Sequence, residues 1–88
     1  MTVRAALTPE GALGWLGSLS VDVRAAAVVD AGGAVLAGDP TLAGVREGGD
    51  VIVARSERHC IVVRTGPRPL KRLLRADLRA ALDALEIA

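Results

Sequence analysis

Three features of this chain predict an α+β fold (an α/β sandwich): an antiparallel sheet of about four strands from two hairpins, flanked by an N-terminal and a C-terminal helix. The first is Val23–Asp39, VRAAAVVDAGGAVLAGD, which reads as a hairpin whose strands are apolar on both faces. The second is the pair of runs Val51–Arg55 and His59–Thr65 around Ser56-Glu57-Arg58, which repeats the hairpin pattern. The third is a change to helical periodicity from about Pro69 to Ile87. The expected order is α-β-β-β-β-α in one domain spanning residues 1–88.

A chain of this size buries only about 60–65% of the surface its unfolded form exposes. Its 28 large apolar side chains are matched by 16 alanines. Burial is worth roughly 25 cal/mol per Å² of apolar surface, and alanine has little to bury. The core is therefore thin, and extra burial at an interface would stabilise it. Cys60 is the only cysteine, so no intrachain disulfide forms, and a reducing, cytoplasmic setting is the simplest expectation. The longest apolar run, the five residues Ala25–Val29, is far shorter than the ~20 a membrane span requires. No signal-peptide pattern opens the chain. Residues 1–50 carry three cations against six acids (net −3), and residues 51–88 carry eight against four (net +4). Either the halves attract each other within the fold, or the basic half faces a partner.

In chain order, Thr8-Pro9-Glu10 is a helix start: a capping hydroxyl, a proline suited to the first turn, and an acid at the positive end of the dipole. That helix is expected from Pro9 to about Leu19, burying Leu13, Trp15 and Leu16. Gly11, Gly14 and Gly17 weaken it by up to ~1 kcal/mol each relative to alanine; alternatively, their spacing lets another backbone approach closely. Val21–Asp30 is the first strand, with Val21, Val23, Ala25, Ala27 and Val29 on one face by strict alternation. Ala31-Gly32-Gly33 supplies a turn, Ala34–Ala37 returns, and Gly38-Asp39-Pro40 ends the hairpin. Thr41–Asp50 is too short for more than about one or two helical turns. In the second hairpin Val51 and Val53 oppose Ile52 and Ala54, and Ile61 and Val63 oppose Cys60 and Val62. Gly66-Pro67 breaks the sheet, and Leu70, Leu73, Leu74, Leu78, Ala81, Leu82 and Leu85 form the apolar arc of the last helix.

No residue set reads as catalytic, and no cofactor or metal site is expected. His59 and Cys60 are adjacent in a strand, so they point to opposite faces and cannot form a dyad. One histidine and one cysteine give no metal-ligand spacing. The glycine segments lack both the Lys-Ser/Thr and the strand-to-helix setting of a phosphate loop. The sharper feature is on the last helix, where Arg68, Arg72, Arg75 and Arg79 fall within about 60° of one another. They are either a solvated face, with Arg79 and Asp83 as an i, i+4 pair, or a basic ridge for an acidic partner. Nucleic acid is not expected, because Trp15 is the sole aromatic and offers no stacking platform near them. Asp77 falls inside the leucine arc, either at its edge or paired with Arg64 or Arg24, and pairing is the expectation carried forward.

The Val23–Asp39 hairpin resembles that of the bacterial roadblock/dynein light chain family, whose members often read V-x-A-A-x-V-V-D-x-x-G-x-V-L-A-x-D. The resemblance extends loosely over residues 11–85. It implies a profilin-like α/β sandwich that dimerises and serves as a scaffold or regulator, often of small Ras-like GTPases, with no enzymatic site of its own. This chain departs from the family after the first hairpin, where Thr41–Asp50 replaces a full helix, and before the last helix, where a fifth strand is missing. If both helices cover one sheet face, the other is expected to be exposed and apolar, which a monomer rarely tolerates. A homodimer, or a heterodimer with a related chain, is therefore expected, through sheet faces or edges, with Ala26, Val28, Ile52, Ala54, Cys60 and Val62 as its interface. The competing expectations are a small ligand-sensing domain of the profilin, PAS or GAF kind, and a structural subunit of a larger complex.

Overall fold

The computed structural model describes residues 8–19, 23–66 and 71–86, and shows the order α-β-β-β-β-α with a four-stranded antiparallel sheet. Helix α1 spans Pro9–Leu19. Thr8 caps it as its sequence position predicts: the hydroxyl oxygen accepts the Gly11 N–H at 3.0 Å, and the carbonyl accepts the Ala12 N–H at 2.8 Å. Strand β1 (Val23–Asp30) turns into β2 (Val35–Gly38) through an Asx turn. The Asp30 carboxylate there accepts the Gly32 and Ala34 N–H groups, both at 2.9 Å. A single 3₁₀ turn, Pro40–Leu42, follows. Strands β3 (Val51–Arg55) and β4 (His59–Thr65) form the second hairpin, and α2 (Lys71–Leu85) closes the described chain. The expected first-strand residues Val21 and Asp22, and Leu70 of the leucine arc, lie outside the described residues.

The strand order is β2-β1-β4-β3, so the hairpins join through β1 and β4, and β2 and β3 are the edges. Both helices lie on one face. Ala26, Val28, Ile52, Ala54, Ile61 and Val63 meet Ala12, Leu16, Leu74, Leu78, Ala81, Leu82 and Leu85 there. The faces of the second hairpin fall as alternation requires. On β1 strict alternation fails: a register shift between Val23 and Ala25 turns Val23 to the helix side, away from Ala25, Ala27 and Val29. Leu73 also departs from its expected place. It is 61% exposed, because about 100° per residue puts it well outside the arc centred on Leu74, Leu78 and Leu85. Asp77 is half-buried at the margin of that arc and has no ion pair among the described residues. Arg64 instead lies loosely beside Asp50, at 4.0 Å.

The face opposite the helices is not bare. The chain leaving β2 folds over it, started by Asp39, whose carboxylate accepts both the Thr41 N–H (2.9 Å) and its hydroxyl (2.7 Å). Those two bonds hold the Asp39 carboxyl below the usual carboxylate range, the hydroxyl contributing most. The turn delivers Leu42, fully buried, onto a second small core of Ala27, Val29, Val51 and Val62. One leucine on an irregular segment does the covering that a helix would otherwise do. Gly38 makes this path possible. Its φ is +92°, and a Cβ there would collide with the Ala26 carbonyl oxygen and lie 2.8 Å from Ala27 Cα.

Candidate functional site

The pairing register divides the six residues expected at a dimer interface between two faces. Ala26, Val28, Ile52 and Ala54 lie beneath the helices, with Val28 and Ile52 essentially inaccessible. Cys60 and Val62 lie on the opposite face, opposed by Val29 and by Ala27 and Val53 respectively. The six therefore cannot form one contact surface. Sequence alternation identifies two apolar faces per strand, but only the register shows which faces of different strands coincide. The expected exposed face is corrected as well: Val29, Val51 and Val62 are 5%, 6% and 2% exposed.

The arginine ridge is likewise rearranged. Arg68 lies outside the described residues. Arg72 is exposed, but Arg75 donates to the Glu47 carboxylate at 2.7 Å, and Arg79 makes a long 3.5 Å contact to the Arg55 carbonyl. Glu47 also accepts the Val53 N–H at 3.1 Å. The Arg75 guanidinium first, and then this N–H, hold the Glu47 carboxyl below its ordinary range. These contacts converge on the free edge of β3. Asp50–Thr65 and Ser56–His59 are hydrogen-bonded across the hairpin, so Val51, Val53 and Arg55 turn their N–H and C=O groups outward. Val51 bonds to Gly48 in both directions, Val53 donates to Glu47, and Arg55 accepts from Arg79. An edge strand of sequence VIVAR is a template for unwanted pairing, and the arginines of α2 help to block it. Glu47–Arg75 and Asp50–Arg64 each join the acidic half to the basic half, as the intramolecular reading of the charge asymmetry anticipates.

His59 and Cys60 occupy opposite faces. His59 Nδ1 lies 3.0 Å from Glu86 Oε2, which also accepts the Ser56 hydroxyl, and the Ser56 oxygen accepts the His59 N–H at 3.1 Å. The Ser56 hydroxyl first, and then His59, hold the Glu86 carboxyl below its ordinary range. Serine and histidine meet the same carboxylate atom, so this cluster ties the end of α2 to the β3–β4 turn and does not present a hydroxyl activated by an imidazole. Its residues are 27 and 30 positions apart from Glu86, and no sequence spacing announces them.

A cleft of about 590 Å³ lies on the face opposite the helices. Its floor is the cross-strand row Val29–Cys60–Arg55 together with Val62, and its wall is Gly44-Val45-Arg46. Arg46 and Arg55 are exposed and have no ion pair among the described residues. Neither was singled out by sequence reasoning. Alternation does show that Arg55 shares a face with Val51 and Val53, but nothing shows that the loop carrying Arg46 arches across to meet it. Among the described residues no group of three or more acids, cysteines or histidines is placed to hold a metal, and no helix is long and apolar enough to cross a membrane.

No protein-family model, no curated protein and no solved structure matches the chain. What the geometry itself defines is a class: a four-stranded antiparallel sheet with two helices on one face and an irregular segment, with an open cleft beside it, on the other.

Proposed function

We propose that this chain is a non-enzymatic protein-interaction module, a reduced roadblock-like domain that regulates or scaffolds a small Ras-like GTPase or a signalling complex. The observation that carries the reading is the asymmetry of the sheet. One face is packed by two helices, while the other is closed by Leu42 beside an open cleft lined by Val45, Arg46, Arg55 and Cys60. The Val23–Asp39 pattern supports the family assignment. So does the arrangement of first and last helices on one face, with the segment between the hairpins on the other. Self-association, as a homodimer or with a related chain, belongs to the same proposal. The blocked β3 edge and the covered outer face leave it the β2 edge, the cleft rim and the outer side of α2.

The test is co-expression with a small Ras-like GTPase, followed by gel filtration with light scattering across a salt series. A complex that weakens with salt is the expected result. A monodisperse monomer at tens of micromolar that leaves the GTPase free, and its nucleotide hydrolysis unchanged, overturns the reading. The cleft volume also favours one alternative, a small ligand-sensing domain, because sites for compact ligands span about 300–1,000 Å³. A thermal-shift screen against small acids separates the two: a stabilising small molecule in the absence of any protein partner selects the alternative.

A further inference from the structure

We propose that the outer side of α2 pairs with the α2 of a second copy, antiparallel about a two-fold axis, an assignment that rests on reading the chain as a self-associating interaction module. Leu74, Leu78, Ala81, Leu82 and Leu85 turn inward on this helix. Leu73, Ala76 and Ala80 are exposed on its far side, Leu73 at 61%. At about 100° per residue these three fall within about 60° of one another. Their spacing of three and then four residues is that of a seam along which a second helix packs.

The charges on α2 select the occupant, because they run against the helix's own macrodipole. The first turn holds Lys71 and Arg72 and no acid, and the last turn holds Asp83 and no base. Arg72 and Asp83 have no ion pair among the described residues, and the Arg79–Asp83 contact open to an i, i+4 pair does not form. Arg72 and Asp83 lie about 17 Å apart along the axis and within about 20° in angle, on one flank of the seam. In an antiparallel pair equivalent flanks face each other, so Arg72 of each copy meets Asp83 of the other. The helix dipoles, opposed in such a pair, add to the attraction. A parallel pair would set Arg72 against Arg72, and a purely acidic partner would leave Asp83 unmet. The other charges are accounted for: Arg75 is held by Glu47, Arg79 reaches the Arg55 carbonyl, and Glu86 is held by Ser56 and His59. Asp77, on the opposite flank near the axis, approaches its own equivalent and opposes the pairing. One helix pair is a small interface, so the monomer should predominate at about 1 µM and the dimer above tens of micromolar.

The test is sedimentation equilibrium of the intact chain over that concentration range. R72E and D83R should each weaken dimerisation about ten-fold, since each sets like charges together at two symmetric places. The double variant R72E/D83R should recover wild-type association within about three-fold, because the swapped charges again meet their opposites. L73A should weaken the dimer while leaving the unfolding of the monomer at about 1 µM unchanged. D77N should tighten it, and R55E, on the other face of the sheet, should have no effect. All these side chains except Asp77 are exposed, so the variants should keep the wild-type circular dichroism. A double variant as dissociated as either single one overturns the pairing. So does a dimer indifferent to L73A, or one lost only in R55E, which would place self-association at the cleft rim. The same proteins are assayed for GTPase capture. A wild type that captures the GTPase but stays monomeric overturns the α2 pairing alone, and a dimer that obeys the charge swap without capture overturns the GTPase reading alone.

Discussion

Replacing Leu42 by alanine tests whether one side chain on an irregular segment substitutes for a covering helix. Leu42 is fully buried against Ala27, Val29, Val51 and Val62. Removing three carbons forfeits about 2.4 kcal/mol of transfer free energy at roughly 0.8 kcal/mol per carbon. A residual cavity adds to this, and measured Leu→Ala losses in cores run about 2–5 kcal/mol. The segment is not held in a helix and can partly collapse, so the lower half of that range, about 2.5–3.5 kcal/mol, is expected. A domain of this length has roughly 4–13 kcal/mol of stability in total, so the loss is a large fraction of it. At about 4–8 °C per kcal/mol, the melting temperature should fall by roughly 10–28 °C. Urea unfolding followed by circular dichroism measures the change, with Leu73→Ala, at a residue 61% exposed, as a control expected to stay within about 0.5 kcal/mol. Leu42→Val, a milder truncation, keeps the test quantitative if the alanine variant does not fold. A Leu42→Ala loss below about 1 kcal/mol would refute the idea that this residue closes the outer face.

Four further outcomes are expected. Gly14→Ala and Gly17→Ala should each stabilise the protein by about 0.5–1 kcal/mol, because a Cβ at either position meets nothing within 4 Å; a loss in thermal unfolding would revive the close-approach reading of the glycine spacing. Gly38→Ala should do the opposite and cost more than about 2 kcal/mol, combining a positive-φ penalty with collision against the β1 backbone; wild-type stability would contradict the geometry. Glu47→Ala should raise the hydrogen-exchange rate of the Val53 amide about ten-fold while leaving the Val63 amide, inside the sheet, unchanged. Glu86 is held below its ordinary 4.5 by Ser56 and then His59, so its contribution is present above that value and disappears as pH falls through the lower folded value. Melting curves of wild type and Glu86→Gln should accordingly differ near pH 7 and converge as the pH falls below the lowered folded value; a gap that widens on acidification would reverse the sign.

The charged residues of α2 show how far a helical wheel reaches. Angular position correctly separates Leu74, Leu78 and Leu82 from Arg72, Arg75 and Arg79. It carries no information about Glu47, whose loop brings its carboxylate to Arg75 and to the edge of β3. The same limit explains Arg46 and Arg55, nine positions apart in sequence yet lining one cleft. It also explains Ser56, His59 and Glu86, which meet only because α2 ends above the second hairpin. Asp77, expected to pair, simply stands at the margin of the packed arc.

Local chemistry determined the elements. Capping by Thr8, glycine turns, alternation within the second hairpin and the leucine period of the last helix depend on neighbours within a few residues, so the chain reads them out directly. The strand order β2-β1-β4-β3, the register shift after Val23 and the descent of Leu42 onto the outer face depend on which distant segments meet. Those choices are settled by burial summed over the whole molecule, which no single stretch encodes. The register decided that Val28 and Val62 belong to different layers, and the fold of residues 39–50 decided that the outer face is a cleft and not a bare sheet.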